Sequence, residues 1–159
     1  QMGDTFVLPE ATIRDDSMLI PGTNGGKMSK SANNIINIFL DDKSLRKQVM
    51  SIETDSTPLE DPKNPDTCNA FAIYSLLAND EQIAAMKANY LGGNYGYGHA
   101  KQALFELICE KFKTERKQYS YYMNNLTEVD ALLKIGAQKA SVVANGVLAR
   151  VREKLGFEV

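Results

Sequence analysis

From Asp66 to the end of the chain, apolar residues recur every three or four positions, which is the spacing of helices that bury one face. One run begins near Gly98 and comprises Leu104, Leu107, Ile108 and Phe112. A longer stripe of apolar and small residues ends at Gly156, a residue type that favours helix ends: Val129, Leu132, Leu133, Gly136, Ala140, Ala144, Val147, Leu148, Val151 and Leu155. The sequence therefore predicts a mainly α-helical protein.

Short polar side chains mark the places where helices are expected to begin, because their oxygens can accept hydrogen bonds from the first free N–H groups of a helix. The predicted caps are Asp41 or Asp42, Asp66 or Thr67, Asn79 or Asp80, and Thr127 with Asp130. The helix that follows Asn79 is expected to stop at Gly92-Gly93.

The beginning of the chain has a different character. Residues 5–8, Thr-Phe-Val-Leu, form a short apolar run stopped by Pro9, which indicates a buried parallel strand, and residues 18–20 form a second short apolar run. One strand cannot form a sheet alone, so we expect a larger α/β domain whose other strands precede Gln1. Residues 53–66 contain three prolines and many polar residues. We expect this stretch to separate an α/β part, residues 1–52, from a helical domain, residues 53–159.

A glycine turn between these runs leads into two lysines and two hydroxyls: residues 24–31 read Asn-Gly-Gly-Lys-Met-Ser-Lys-Ser. Glycines allow close approach of the backbone to a ligand, while Lys27 and Lys30 bring mobile ammonium groups and Ser29 and Ser31 bring hydroxyl donors. A P-loop is excluded because its first glycine and its magnesium-binding hydroxyl are replaced by Pro21 and Met28. The stretch is typical of a loop that holds a polyphosphate.

Composition limits the other sites that the chain can carry. Two cysteines and a single histidine, His99, cannot form a common structural zinc site or a disulfide framework. No apolar run has membrane-spanning length and no signal peptide opens the chain, which favours the cytoplasm. The net charge is −2, but residues 99–159 carry ten Lys and Arg against seven Asp and Glu, which is compatible with contact to RNA.

Four stretches together resemble the bacterial tryptophanyl-tRNA synthetases, over nearly the whole chain. The first is residues 21–31, which contain the Lys-Met-Ser-Lys-Ser signature of class I synthetases; the others are residues 54–56 followed by 60–66, residues 93–98 with Lys101, and residues 136–140. Asn24 departs from the family, in which Asp is commoner at this position. The resemblance implies the last strand and signature loop of a Rossmann-type catalytic domain, followed by a C-terminal helical domain that contacts the anticodon.

By this resemblance, the partners of the full-length enzyme are tryptophan, tRNA(Trp) and ATP with Mg²⁺, and the enzyme is a homodimer. The tryptophan carboxylate attacks the α-phosphate of ATP and magnesium pyrophosphate leaves. Lys27 and Lys30 would neutralise the leaving group, Ser29 would donate a hydrogen bond, the backbone of Met28 would lie against the adenine, and Ser31 would complete the loop. The family also uses a His-x-Gly-His signature, which a chain with one histidine cannot contain, so this chain alone is expected to be inactive.

Two groups of cations are candidate contacts to tRNA phosphates: Lys113, Arg116 and Lys117, and Arg150, Arg152 and Lys154. Cations in the last turns of a helix are also favoured by its dipole, so both interpretations of the second group stay open. Tyr95, Tyr97, Tyr119, Tyr121 and Tyr122 could stack on bases, although packing between helices is the commoner use of tyrosine. Two other functions remain alternatives: a tyrosyl-tRNA synthetase, and a stand-alone helical RNA-binding module.

Overall fold

The computed structural model describes residues 5–13 and 19–157. The chain divides into two compact units, one comprising Arg14–Tyr119 and the other Gln1–Ile13 together with Ser120–Val159. The boundary predicted between residues 52 and 53 does not coincide with this division, because helices from both sides of it share one core. The two predicted domains remain a prediction.

The described residues form six α-helices and a short 3₁₀ turn. The helices are α1 (Asp42–Met50), α2 (Asn69–Ser75), α3 (Asp80–Gly92), α4 (Tyr97–Lys111), α5 (Lys113–Met123) and α6 (Leu126–Lys154), and the 3₁₀ turn is Pro65–Thr67. The prediction of a mainly α-helical fold is confirmed. No helix in the described part of the chain combines the length and the apolarity that crossing a membrane requires.

The strand predicted at residues 5–8 is not observed. Residues 5–8 have no regular secondary structure, and Val7 and Leu8 are 90% and 87% exposed. In the second predicted run, Met18 lies outside the described residues and the two residues after it are not in a strand. Within the described ranges the only β-pairing is an isolated antiparallel bridge between Pro21 and Lys27. A strand needs a neighbouring strand for its ladder of hydrogen bonds, and the described residues form no β-ladder.

Two of the predicted helix caps are confirmed. The Asp41 carboxylate accepts a hydrogen bond from the Ser44 N–H at 3.0 Å and begins α1. Asn79 and Gln82 form a reciprocal capping box at the start of α3, and Gly93 ends this helix with φ +71°. In each cap, the residues that form the hydrogen bond lie within four positions of one another, which is why the sequence could predict both caps.

Two other caps were placed wrongly. Helix α2 begins after Cys68, which makes no side-chain capping bond, whereas the predicted caps Asp66 and Thr67 belong to the 3₁₀ turn that Asn64 caps. Helix α6 begins after Asn125, so Thr127 lies inside its first turn. In both cases the helix starts within two residues of the predicted cap.

The core lies in the Arg14–Tyr119 unit and is built mainly by α1, α2 and α4. Leu45 and Val49 of α1 face Leu104 and Ile108 of α4, and these four side chains are at most 2% exposed. The cluster also contains residues of α2 and α3: Ala70, Phe71, Ile73, Tyr74, Met86 and Tyr90. The apolar spacing of α4 thus produces the face that the sequence predicted.

Helix α6 contains 29 residues and has no buried side chain. Leu132 and Leu133 of its apolar stripe are 50% and 64% exposed. The stripe predicted the helix correctly, but burial also requires a covering element, and no described element buries this face.

Candidate functional site

The site is the lysine-bearing loop, whose first half is a tight turn closed by main-chain hydrogen bonds. The Gly22 N–H donates to the Gly26 carbonyl at 2.7 Å, and the Met28 N–H donates to the Ile20 carbonyl at 2.9 Å. Gly25 has φ +77°, a left-handed value that favours glycine. The glycines in this turn therefore allow its tight backbone conformation. Lys27 follows directly at the end of the turn.

The second half of the loop is held by its own hydroxyls. The Ser29 Oγ accepts from the Ala32 N–H at 3.1 Å and lies 3.2 Å from the Ser31 Oγ. The Asn33 N–H donates to the Lys30 carbonyl at 3.1 Å, and Asn33 turns the chain with φ +51°. Residues 29–33 thus form a compact turn from which Lys30 projects.

Both lysines of the loop are exposed, and neither forms a salt bridge with any carboxylate in the described residues. Within the described part of the chain, an external anion could therefore reach these ammonium groups without displacing a carboxylate. Lys27 lies two residues before the Ser29 hydroxyl and Lys30 lies directly after it. Two ammonium groups and a hydroxyl this close in sequence suit a ligand with several phosphate oxygens.

Met28, which lies between the two lysines in sequence, has an apolar environment. Its side chain lines an apolar groove of about 290 Å³ with residues that include Ile20, Ile36, Ile73 and Phe112. Because the Met28 N–H already donates to Ile20, only the Met28 carbonyl is left for the contact with adenine that the resemblance implies.

Two asparagines that the sequence did not single out hold the loop in place. Asn34 is 3% exposed and its carboxamide bonds to both halves of the loop. Asn69, the first residue of α2, donates to the carbonyls of Gly22 at 2.8 Å and Thr23 at 3.2 Å. A lone asparagine carries no distinctive spacing, so only the folded arrangement reveals these roles.

The departure at Asn24 does not alter this arrangement. The Asn24 Oδ1 accepts from the Gly26 N–H at 3.1 Å and from the Asn34 Nδ2 at 2.7 Å. Both contacts use the oxygen alone, which an aspartate would also supply.

A polar cleft of about 320 Å³ lies beside the turn and brings three of the four recognised stretches together. Its lining residues are Asn24, Gly25, Glu53, Thr54, Asp55, Thr67, Cys68, Asn69 and Tyr97. The Tyr97 hydroxyl donates to the Asp55 carboxylate at 2.7 Å. Hydrogen bonds from Thr57 and Tyr97 lower the pKa of Asp55, while burial and the bond to Asp55 raise the pKa of Tyr97 to about 12. The fourth stretch, residues 136–140, lies in α6 and belongs to the other unit.

The first group of predicted tRNA contacts lies on α5 and divides by environment. Lys113 and Lys117 are exposed, and Lys113 forms only a loose ion pair with Glu110 at 3.9 Å. Arg116 instead donates to the Ile38 carbonyl at 2.6 Å and pairs with Asp42 at the start of α1. Arg116 therefore also supports the fold.

The second group, Arg150, Arg152 and Lys154, lies in the last turns of α6, and all three residues are exposed. This is the position that the helix dipole favours for cations, so the structure keeps both interpretations open.

The five tyrosines also divide by environment. Tyr95 and Tyr97 pack against the core around Tyr90, as the packing interpretation predicts. Tyr119 and Tyr121 are exposed; Tyr119 stacks on Phe39 with ring centroids 4.6 Å apart, and Tyr121 donates to Glu128. Tyr122 is 38% exposed and lies edge-on to Tyr121.

Among the described residues, no three His, Cys, Asp or Glu side chains are grouped so that they could hold a metal ion.

Comparison with known proteins gives a consistent set of relatives. The family model of class I tRNA synthetases (W and Y) matches residues 1–113. Curated relatives named tryptophan–tRNA ligase include those of Fusobacterium nucleatum, 47% identical over 96% of this chain and 46% of the relative, and Campylobacter jejuni, 39% identical over 99% and 49%. The chain thus spans about half the length of these relatives.

Solved structures agree with the sequence comparison. The crystal structure of tryptophanyl-tRNA synthetase from Campylobacter jejuni complexed with ADP and tryptophan matches with a TM-score of 0.86 and 39% identity, covering 99% of this chain and 49% of that one. A second structure of the Campylobacter jejuni protein matches with a TM-score of 0.84 and the same identity, covering 98% of this chain and 49% of that one. With its lysine loop, its helical core and a family model that matches more than half of its residues, this chain belongs to the class I tRNA synthetases of the tryptophan and tyrosine group.

Proposed function

We propose that this chain supplies the signature loop and the helical part of an enzyme that activates tryptophan with ATP and attaches it to tRNA(Trp). The observation that carries the proposal is the pair of exposed ammonium groups, Lys27 and Lys30, on a loop whose backbone is fixed by internal hydrogen bonds. The names of the relatives, and the ADP and tryptophan in the Campylobacter jejuni structure, support the choice of substrates.

In the proposed reaction, a carboxylate oxygen of tryptophan attacks the α-phosphorus of ATP, and the bond from that phosphorus to the bridging oxygen breaks. The electron pair of this bond moves onto pyrophosphate, which leaves with its magnesium ion as part of the substrate complex. Lys27 and Lys30 bind the β- and γ-phosphate oxygens more strongly as charge develops there, Ser29 and Ser31 offer hydroxyl donors, and the Met28 carbonyl lies against the adenine. Neither lysine transfers a proton; both act by electrostatic stabilisation.

The proposal includes a homodimer acting in the cytoplasm, where translation consumes charged tRNA. Its direct test is charging of tRNA by the full-length enzyme with labelled tryptophan. We expect label in tRNA(Trp) alone. Label in no tRNA, despite a folded enzyme and an active tRNA preparation, would contradict the proposal.

The cations of α5 and α6 lead to a separate prediction about tRNA. Phosphate neutralisation releases counterions, so binding of tRNA should weaken steeply with salt. Replacing Lys113 and Lys117 by Gln, or separately Arg150, Arg152 and Lys154 by Gln, should raise the KM for tRNA about tenfold and reduce the salt slope by about one for each lost contact. Formation of tryptophanyl adenylate should not change.

Arg116 belongs to the proposed set but is left intact in these variants, because its loss would also remove the contacts to Ile38 and Asp42. A matched control replaces Lys87, which is half exposed on α3 and pairs loosely with Asp66. Equal losses in adenylate formation and charging would mean that the substituted cations support the fold. An unchanged KM for tRNA would place the tRNA surface elsewhere.

A further inference from the structure

Asn34 is the most completely bonded side chain of the lysine loop. Its Oδ1 accepts from the Ser29 N–H at 2.8 Å, and its Nδ2 donates to the Asn24 Oδ1 at 2.7 Å and to the Lys27 carbonyl at 3.1 Å. Its own carbonyl accepts from the Thr23 N–H at 2.8 Å. One buried residue therefore connects the glycine turn with the segment that carries the lysines.

The space around this carboxamide is fitted to it. A Cβ atom at Gly22 would lie 2.3 Å from the Asn34 Nδ2 and 2.7 Å from the Asn34 carbonyl oxygen. Both distances are far below van der Waals contact, so Gly22 has to lack a side chain for Asn34 to occupy its place. Gly22 and Asn34 thus form a matched pair at the base of the loop.

We infer that Asn34 is a positioning residue, which fixes the backbone of Lys27 and Ser29. The ammonium and hydroxyl groups of these two residues are then already placed to reach the leaving pyrophosphate. The inference rests on the proposed function. Asn34 does not itself contact substrate; it acts through the main chain on either side of Met28. Misplacement of a reacting or stabilising group by about 1 Å can cost about a hundredfold in rate.

To hold the loop in this way, the side chain at position 34 must both accept and donate hydrogen bonds. An aspartate at this position would still accept from the Ser29 N–H, but it would direct carboxylate oxygens at the Asn24 Oδ1 and the Lys27 carbonyl, where no proton is available. Asn34→Asp keeps the shape of the side chain and removes two of its three bonds. It is therefore a sharper probe than truncation.

The test measures tryptophan activation by the full-length enzyme together with hydrogen exchange at the Ser29 amide. For Asn34→Asp we expect kcat to fall about a hundredfold, with little change in the KM for tryptophan. Gly22→Ala should lower kcat in the same way without adding a charge, and it should also speed exchange at the Ser29 amide, because it displaces the carboxamide that accepts from this N–H. Asn89→Asp is the matched control, since it makes the same substitution at an exposed position of α3, outside the loop.

Normal kcat in a folded Asn34→Asp enzyme would overturn the inference, as would a lower kcat of Gly22→Ala with unchanged exchange at Ser29. If Asn34→Asp does not fold, Gly22→Ala decides by the same two criteria. Lys30→Ala separates this inference from the proposed function. If Lys30→Ala leaves kcat unchanged, the proposed function fails, and exchange at Ser29 still decides whether Asn34 fixes the loop.

Discussion

Replacing Lys30 by Ala in the full-length enzyme should lower kcat for tryptophan activation by about a hundredfold, which corresponds to about 2.7 kcal/mol of transition-state stabilisation. Lys30 is exposed and has no carboxylate partner among the described residues. Its replacement should therefore change the free energy of unfolding little. Its attraction to pyrophosphate grows as charge moves onto the leaving group. The KM for tryptophan should therefore change far less than kcat.

The measurement is steady-state exchange of pyrophosphate into ATP at varied tryptophan and ATP concentrations. Lys43→Ala is the control, because Lys43 is an exposed lysine in the first turn of α1, away from the loop in sequence. Lys30→Arg should recover part of the activity by restoring the charge. An unchanged kcat with a higher KM for ATP would mean that Lys30 binds the ground state and transition state equally, so that the loop only binds nucleotide.

Replacing Lys63 by Met should lower the free energy of unfolding by about 3 kcal/mol. The Lys63 side chain is 3% exposed, and its ammonium donates to the carbonyls of Pro58 at 2.8 Å, Leu59 at 3.3 Å and Asp61 at 3.1 Å. It also lies 5.5 Å from the centre of the Tyr97 ring. Methionine keeps the aliphatic stem but leaves these carbonyls without their donor.

Urea unfolding of the same protein measures this loss, and Lys87→Met is the control. Lys87 is 51% exposed and its ion pair with Asp66 spans 3.9 Å, so its loss should cost less than about 0.5 kcal/mol. Equal unfolding midpoints for the Lys63 and Lys87 variants would contradict the structural role of Lys63.

The sequence predicted those features that depend on neighbouring residues. The caps at Asp41 and Asn79, the stop at Gly93 and the apolar face of α4 all follow from patterns within a few residues. The lysine loop was also recognisable, because its chemistry is contained in eight consecutive positions, residues 24–31.

Features that depend on distant residues could not be predicted. Asn69 reaches the loop across 47 positions, and Arg116 reaches Ile38 across 78, so neither contact leaves a local pattern. Lys63 stood out in the sequence only as the single base in an acidic stretch, residues 53–82. The sequence could not show that its partners are carbonyl oxygens rather than those carboxylates.

Apolar composition alone was also an incomplete guide. It predicted a strand at residues 5–8, whereas the described residues form no β-ladder in which that segment could take part. It predicted the helix of the stripe between Val129 and Leu155 but not the exposure of its side chains. Period and composition specify which face is apolar, whereas tertiary contacts decide whether that face is buried.

The central claim is that this chain provides the pyrophosphate-binding loop of a tryptophan-activating enzyme, and amino-acid-dependent exchange of pyrophosphate into ATP tests it most directly. The full-length protein should catalyse exchange with tryptophan and not with tyrosine, whereas this chain alone should give none, because it has a single histidine and the proposed reaction needs the His-x-Gly-His signature. Exchange that depends on tyrosine, or turnover by this chain alone at an ordinary enzymatic rate, would contradict the account.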